Sequence, residues 1–239
     1  MSIDLILKKI FKRNPEFETK TDNENRFNNY IKLIENNVMG YDKTKVAGYL
    51  IAVIVEYLNN SEAIKSVEFE NMSQNNSLIE QIYCELFLKK ELYKLDDLRS
   101  ECSISIDVNS IPIILNPWNG GRVVDNLMTI GEKENIFDGE KNKSNIQNHY
   151  LYPMDVVVCS GGNHSQFSAR FKNNGKTIIQ KKYDFSQLYN EVSFNGRNYT
   201  HKKDNSIIAL EYDEELIFYS GIIFELGRYL LAGNYKRFD

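Results

Sequence analysis

The sequence predicts an α+β protein in which an N-terminal helical domain, residues 1–100, precedes a mixed α/β domain, residues 101–239, that ends in a helix. Three observations support this fold class. Apolar residues recur with helical spacing in the first hundred residues, alternation with period two begins at Ser103, and a last helical pattern follows Asp213. A composition of 42% hydrophobic and 12% aromatic residues indicates a packed core.

The helical domain begins with an amphipathic segment over residues 2–13, whose basic side chains lie near the C-terminal end of the predicted helix. A membrane-surface helix has this pattern too, but we interpret the segment as a helix that packs on its own domain. The polar stretch 14–25 predicts a loop, and residues 27–34 predict a second helix.

A third helix is predicted over residues 43–58, where apolar residues occupy most sides, so this helix should be central. Ser77 and Glu80 have the spacing of a capping box, in which each side chain bonds the backbone of the other residue. The helix that they open should bury Ile79, Ile82, Tyr83, Leu86 and Phe87.

Strands predominate after residue 100. Residues 103–108 alternate in polarity, and residues 111–115 and 154–159 are short apolar runs typical of buried strands. Asn195-Gly196 predicts a hairpin. The remaining predicted elements are helices at 123–130 and 166–171, strands at 177–183 and 207–212, a mobile loop at 132–148, and a closing helix over residues 213–231.

Charge and cysteine content narrow the class of protein. A formal net charge of −4 gives no overall attraction to nucleic acid. The three cysteines are widely spaced, which argues against a zinc ribbon and a disulfide framework. No secretory signal pattern and no apolar stretch of membrane-spanning length is visible. We therefore expect a cytoplasmic protein with reduced thiols.

A constrained turn follows the strand predicted at 111–115. It reads Asn-Pro-Trp-Asn-Gly-Gly-Arg over residues 116–122, and its proline forces Asn116 out of the helical region. The two glycines permit backbone geometries closed to other residues. Arg122 lies at the start of the next helix. Together with Asn116 and Asn119, it lets this first box form an anion-binding corner. The alternative is an ordinary turn with a solvated or paired arginine.

A second glycine turn follows the strand predicted at 154–159. It reads Ser-Gly-Gly-Asn-His-Ser over residues 160–165 and precedes a helical pattern. Glycines between a strand and a helix let backbone N–H groups face a phosphate at the positive helix end. In this second box Asn163, His164 and Ser165 lie in the first helical turn, where their side chains can donate to phosphate oxygens. It is neither a Walker A motif nor G-x-G-x-x-G.

Together the two boxes resemble those of the ParB/sulfiredoxin-like fold. ParB-type proteins carry N-P-x-x-x-R and G-E-R-R, and sulfiredoxin carries G-G-C-H-R. The resemblance covers residues 101–212, and the chain is also similar to an uncharacterised bacterial family with N-P-W-N and S-G-G-N-H-S signatures. The residues that carry it are Asn116, Pro117, Asn119, Arg122, Gly161, Gly162, Asn163, His164 and Ser165.

The resemblance implies a nucleotide site between the boxes, with the second box on the phosphates and Arg122 near them. Two departures alter the expected chemistry. Asn163 stands at the position of the sulfiredoxin nucleophile, which excludes sulfinic-acid reduction through a cysteine there, and Ser165 replaces a terminal arginine. No helix-turn-helix pattern follows Ser206, so chromosome segregation is not supported.

His164 and Asp155 are the candidate catalytic acid–base groups. A histidine at a helix N-terminus is kept neutral, so His164 can act as a base or a donor. Phosphoryl transfer implies Mg²⁺ bound with the nucleotide, although no carboxylate cluster marks a metal site. His149, His164 and His201 lack the spacing of a metal-binding motif. Further acids in the predicted loop are Glu132, Glu134 and Asp138.

Three hypotheses follow. The first is a nucleotide- or phosphate-binding protein that hydrolyses a nucleotide or transfers a phosphoryl group. The second is a non-catalytic module from a mobile element or a host–phage conflict system, with a protein partner on the N-terminal helices. A remote third is nucleic-acid processing through the basic stretch 176–203, whose aromatic residues could stack on bases. We favour instead a hairpin that buries Tyr183, Phe185, Tyr189, Phe194 and Tyr199.

Overall fold

The computed structural model describes residues 15–36, 39–69, 75–89 and 98–238. Within these ranges the chain forms six α-helices, a short 3-10 helix, a mixed sheet and a separate hairpin, so the predicted α+β class is confirmed. The helix predicted over residues 2–13 lies outside the described residues. In the described part, no helix is both long and apolar enough to cross a bilayer.

Helix α1 (Pro15–Glu35) begins earlier than the sequence predicted. The prediction of a loop over residues 14–25 is therefore wrong from Pro15 onward. Proline is tolerated in the first helical turn, where its missing N–H is not needed. Tertiary contacts outweigh the polar composition, since the Arg26 guanidinium lies 4.2 Å from the Phe218 ring centre and donates to the Tyr219 hydroxyl at 3.0 Å.

Helix α2 (Lys43–Glu68) extends well beyond the predicted end at residue 58, and helix α3 (Leu78–Leu88) buries the predicted apolar face. The predicted capping box is wrong. Ser77 already has helical backbone angles, φ −64° and ψ −17°, and its side chain makes no capping bond. Glu80 instead accepts a hydrogen bond from His149 Nδ1 at 2.9 Å, so its carboxylate is unavailable to the helix start.

The main sheet has six strands in the order β1-β6-β4-β5-β2, with β3 paired to β6. β1 with β6 and β4 with β5 are antiparallel, whereas the β6–β4, β5–β2 and β3–β6 pairs are parallel. The strands are β1 (Arg99–Asp107), β2 (Ile113–Ile114), β3 (Phe137–Asp138), β4 (Gln147–Tyr152), β5 (Val156–Gly161) and β6 (Gly175–Asp184).

Strand β4 lies between β5 and β6 in the middle of the sheet, although its first residues fall in the predicted loop 132–148. The sequence pattern did not predict β4, because a polar residue such as Asn148 is typical of a loop. In the structure Asn148 is fully buried. The Asn148 side-chain amide donates to Thr177 Oγ1 at 2.8 Å and to Gln166 Oε1 at 3.0 Å. A buried amide is tolerated in a central strand when its hydrogen bonds are satisfied.

The C-terminal part contains the 3-10 helix (Ser186–Asn190), the hairpin strands β7 (Val192–Phe194) and β8 (Tyr199–His201), and helix α6 (Glu214–Ala232). The predicted hairpin and closing helix are confirmed, with Asp213 as the helix cap. The strand predicted at 207–212 is wrong. The segment 207–212 forms one isolated bridge, between Thr200 and Ile207. The Tyr212 hydroxyl donates to Glu85 at 2.9 Å instead of the segment pairing in a sheet.

Helices cover both faces of the sheet. One face, with Ile114, Val156 and Val158, belongs to a core shared with α2, α3 and α6. The other face, with Val157 and Cys159, packs on helices α4 (Gly120–Thr129) and α5 (Asn163–Phe171). Residues on both sides of position 100 share the first core, and the division into domains 1–100 and 101–239 stays a prediction.

Candidate functional site

The two sequence boxes lie at the same edge of the sheet. Strands β2 and β5 are adjacent and parallel, with Ile113 opposite Val157, so their carboxyl ends point the same way. The first box connects β2 to α4 and the second connects β5 to α5. The N-termini of both helices therefore reach this edge, which is where open α/β sheets commonly bind ligands.

Two hydrogen bonds join the boxes. The Asn163 side-chain oxygen accepts from the backbone N–H of Asn116 at 2.8 Å. His164 Nε2 accepts from the backbone N–H of Asn119 at 3.1 Å. The polar side chains of the second box thus hold the first box in place.

The glycines of the first box have a packing role. Asn119 caps α4, because its Oδ1 accepts from the Arg122 N–H at 2.9 Å. A Cβ on Gly120 would lie 2.5 Å from the backbone oxygen of Ser66, whereas one on Gly121 would meet only Asn119 Oδ1, at 3.4 Å. Gly120 is therefore required for the close approach of α4 to the end of α2.

The glycines of the second box shape the start of α5. Gly162 is the cap residue and has a left-handed backbone, φ +83°. A Cβ there would lie 2.5 Å from Ile146 Cδ1, and one on Gly161 would lie 2.8 Å from the Asn145 backbone oxygen. Because glycine has no capping side chain, the first-turn N–H groups of α5 are left for a ligand or water.

The hydrogen bonds of His164 fix its chemical form. Since Nε2 accepts the Asn119 N–H, the neutral ring carries its proton on Nδ1. Burial lowers the pKa of His164 from its ordinary value, and the nearby Arg122 lowers this pKa further. The Nδ1–H has no partner among the described residues. The ring therefore offers a donor to the cleft, while the lone pair that a general base needs is occupied.

A cleft of about 590 Å³ opens in front of these groups. The Arg122 guanidinium lies 5.8 Å from the half-exposed Trp118 ring, and no carboxylate in the described ranges is within ion-pair distance of it. Asp125 is the one acidic residue in the lining. Trp118 and Ser160 of the two boxes also line the cleft, although neither was predicted to bind the ligand. Sequence reasoning missed Asp125, Asn126 and Asn145; Asp125 and Asn126 could have been found from their helical spacing to Arg122.

A buried polar network lies beneath the second box. The Gln166 amide donates to Asn148 Oδ1 at 3.0 Å and to Cys159 Sγ at 2.9 Å, and Thr177 Oγ1 donates to Gln166 Oε1 at 2.6 Å. Burial raises the pKa of the Cys159 thiol to about 12. Cys159 is thus a structural thiol, and the network links the start of α5 to the central strands.

The structure does not bring Asp155 to the cleft. Asp155 precedes β5 whereas the second box follows it, a separation of about 20 Å at 3.3 Å per strand residue. Its side chain, 8% exposed, accepts from Arg237 Nη2 at 2.7 Å and from the Tyr150 hydroxyl at 3.1 Å. Asp155 therefore cannot act together with His164.

The other candidate groups also lie elsewhere. Glu132 pairs with Lys172 at 2.6 Å, and Asp138 caps a turn by accepting from the N–H of Lys141 at 3.1 Å. In the described ranges, no three His, Cys, Asp or Glu residues are grouped to hold a metal ion. The five aromatic side chains that could stack on bases are buried, with exposed fractions of 7% or less, which confirms the burial favoured from the sequence.

Comparison with known proteins gives one match. A protein-family model, described as "Family of unknown function (DUF6710)", matches residues 12–237. No curated protein and no solved structure matches the chain.

Proposed function

Since the chain belongs to family DUF6710, whose function is unknown, we propose from its geometry that it binds a nucleotide or another phosphate-bearing small molecule between the two boxes. One observation carries the proposal: the N-termini of α4 and α5 meet at a single cleft beside parallel strands β2 and β5. This arrangement is the one expected if the fold is of the ParB/sulfiredoxin type.

The donors of the cleft match a phosphate. The first turn of α5 supplies backbone N–H groups that no side chain caps in the described part of the chain, at the positive end of the helix dipole. His164 adds a neutral Nδ1–H donor, and Arg122 adds a guanidinium that has no carboxylate within ion-pair distance in the described ranges. Trp118, 45% exposed beside Arg122, supplies an apolar ring on which a nucleotide base can stack.

Binding is better supported than hydrolysis or phosphoryl transfer. His164 uses its lone pair on Asn119 and Asp155 is remote, so neither predicted catalytic group is placed as a base. Asp125 could share a Mg²⁺ ion that arrives with a nucleotide, because Mg²⁺ is commonly held by one carboxylate plus substrate phosphates. Any turnover would then depend on Asp125 and on Mg²⁺.

A thermal-shift titration tests the proposal. Inorganic phosphate, ADP and ATP, each with and without Mg²⁺, are compared on wild type, on Arg122→Ala and on the control Arg197→Ala, which removes an arginine outside the cleft. A ligand at 100 times its dissociation constant stabilises the fold by about 2.7 kcal/mol. We expect a shift in wild type and in the control that Arg122→Ala abolishes. No shift with any probe would refute the proposal.

The protein-binding alternative has one observation in its favour. Helix α2 exposes a stripe of apolar side chains, and Tyr49, Val53, Ile64 and Val67 are each more than half exposed. Contiguous exposed apolar side chains often mark protein contacts. If this function is the correct one, charged substitutions at Val53 and Ile64 should abolish partner binding while Arg122→Ala leaves it intact.

A further inference from the structure

A second cleft, of about 620 Å³, lies at the opposite end of β5 from the proposed phosphate site. The first half of α2, the turn over residues 109–112, the start of β5 and the end of α6 surround it. Its volume falls within the range of small-molecule sites, which is about 300–1,000 Å³. None of the sequence motifs predicted it.

The floor of this second cleft is apolar. Ile51, Ile111, Met154 and Leu230 line it, and each is exposed by 2% or less. Gly48 of α2 also lines it, and a Cβ at this position would meet no atom within 4 Å. The cleft therefore contains open space above an apolar surface.

Two ion pairs at the wall each bury one partner and expose the other. The Arg237–Asp155 pair, at 2.7 Å, has side chains that are 31% and 8% exposed, so it presents its cation. In the Arg170–Glu56 pair the side chains are 8% and 51% exposed, so this pair presents its anion. The wall thus offers one positive and one negative group.

Hydrogen bonds to the backbone of the turn over residues 109–112 hold both arginines. Arg237 Nη1 donates to the backbone oxygen of Ser110 at 3.0 Å, and Arg170 Nη1 donates to that of Ile111 at 2.9 Å. Both ion pairs are therefore fixed to consecutive carbonyl groups of one turn. Arg237 uses three of its five N–H groups on Asp155 and Ser110, and among the described residues the other two contact at most the Tyr235 hydroxyl. One carboxylate oxygen of Glu56 bonds Arg170, which leaves the other.

We propose that this second cleft binds a small zwitterion with an apolar body, of the α-amino acid or dipeptide class. The ligand carboxylate pairs with Arg237, its ammonium group pairs with Glu56, and its apolar side chain covers Met154 and Leu230. A plain anion would face the Glu56 charge, and an uncharged apolar ligand would remove water from both charged groups without replacing those contacts. A zwitterion satisfies both charges.

Calorimetric titration of the full chain with four probes tests the charge requirement. L-leucine and leucyl-leucine keep both charges, N-acetyl-leucine lacks the ammonium group, and leucinamide lacks the carboxylate. We expect at least one zwitterion to bind, and both blocked compounds to bind about tenfold or more weakly, because each loses a charge-assisted hydrogen bond. The zwitterion that binds more tightly shows which separation of ammonium and carboxylate groups the cleft accepts. Absence of binding by both, or equal binding by the blocked compounds, would overturn the proposal.

Two variants locate the ligand. Glu56→Gln keeps an oxygen that accepts from Arg170 but loses the negative charge. This variant should therefore bind the zwitterion and its N-acetyl form with similar affinity. Gly48→Leu extends into the open space and should abolish binding, while the control Gly48→Ala should bind as wild type does. Normal binding by a folded Gly48→Leu protein would place the ligand elsewhere and contradict the assignment.

Discussion

A single backbone hydrogen bond sets the chemistry of His164. The sequence indicated an acid–base residue, since histidine at a helix start is often neutral and reactive. In the structure the Asn119 N–H occupies Nε2, so the ring can only donate, through Nδ1. The same side chain therefore positions the first box and keeps its Nδ1–H available as a donor.

The lowered pKa of His164 predicts a dependence of stability on pH. Above its ordinary value of 6.5 the ring is neutral in both folded and unfolded chains, so it has no effect. As pH falls below 6.5 the unfolded chain takes up a proton that the folded chain resists, and the free energy of unfolding decreases. Urea denaturation between pH 5 and 8 should show a smaller decrease for His164→Asn than for wild type. Equal slopes would contradict the assignment.

The left-handed backbone of Gly162 predicts a cost for any side chain there. Gly162→Ala should lower the free energy of unfolding by about 1–2 kcal/mol, the penalty for a Cβ in the left-handed region. Because the new methyl group also pushes on Ile146, the first turn of α5 should shift and phosphate binding should weaken. Chemical denaturation and the phosphate titration measure the two effects. A variant as stable as wild type would show that the cap can rearrange freely.

Helices α4 and α5 depend on contacts that a local pattern does not reveal. Both were predicted, but α4 starts at Gly120 only because its backbone can approach the end of α2 closely. The start of α5 is held from below by Gln166, which bonds Asn148 of β4. The position of each helix start, and so the shape of the cleft between the two boxes, is set by neighbouring elements.

The neighbouring glycines of α4 should respond in opposite directions to the same change. Gly120→Ala places a methyl group against the backbone of Ser66, which cannot yield, and should cost about 1–3 kcal/mol of stability. Gly121→Ala is exposed and should be neutral or stabilising by up to about 1 kcal/mol through helix propensity. Thermal and urea unfolding of the two variants measures both changes in the free energy of unfolding. A loss of similar size in both would mean that the close approach to α2 is unimportant.

Local patterns predicted the elements whose apolar residues repeat regularly, such as β1, β5 and α6. They missed β4 because a buried, fully bonded Asn148 looks like a loop residue in sequence. They produced a false strand at 207–212 because alternation does not show whether a pairing partner exists. The two boxes were identified from sequence, but their meeting depends on the parallel pairing of β2 with β5, which are distant in sequence and could not be paired by local signals.

At the scale of the whole molecule, one strand connects two different clefts. β5 ends at the proposed phosphate cleft and begins at the second cleft, with its first four residues fully buried between helix layers. The segment after α6 completes the second cleft, since Arg237 reaches the buried carboxylate of Asp155. Chain segments far apart in sequence therefore determine each end of the sheet.

This long-range ion pair should matter for stability. Arg237→Ala removes the cation beside the buried Asp155 carboxylate and leaves it the hydroxyl contacts of Tyr150 and Tyr235, which should cost about 3 kcal/mol. The exposed pair Arg197–Glu24, at 3.6 Å, serves as control, and Arg197→Ala should cost less than about 1 kcal/mol. Adding Asp155→Asn to Arg237→Ala should restore part of the loss. Equal small effects of both single variants, measured by urea denaturation, would contradict this account.

Helix α6 has a consequence for how the chain is made in a cell. Every residue from 216 to 227 is buried, and this helix fills the core between α2 and α3. A ribosome releases α2 and α3 more than a hundred residues before α6 emerges. During that interval their apolar faces lack the α6 side of the core, so the nascent chain should be a substrate for chaperones, and the fold should be completed only late in translation.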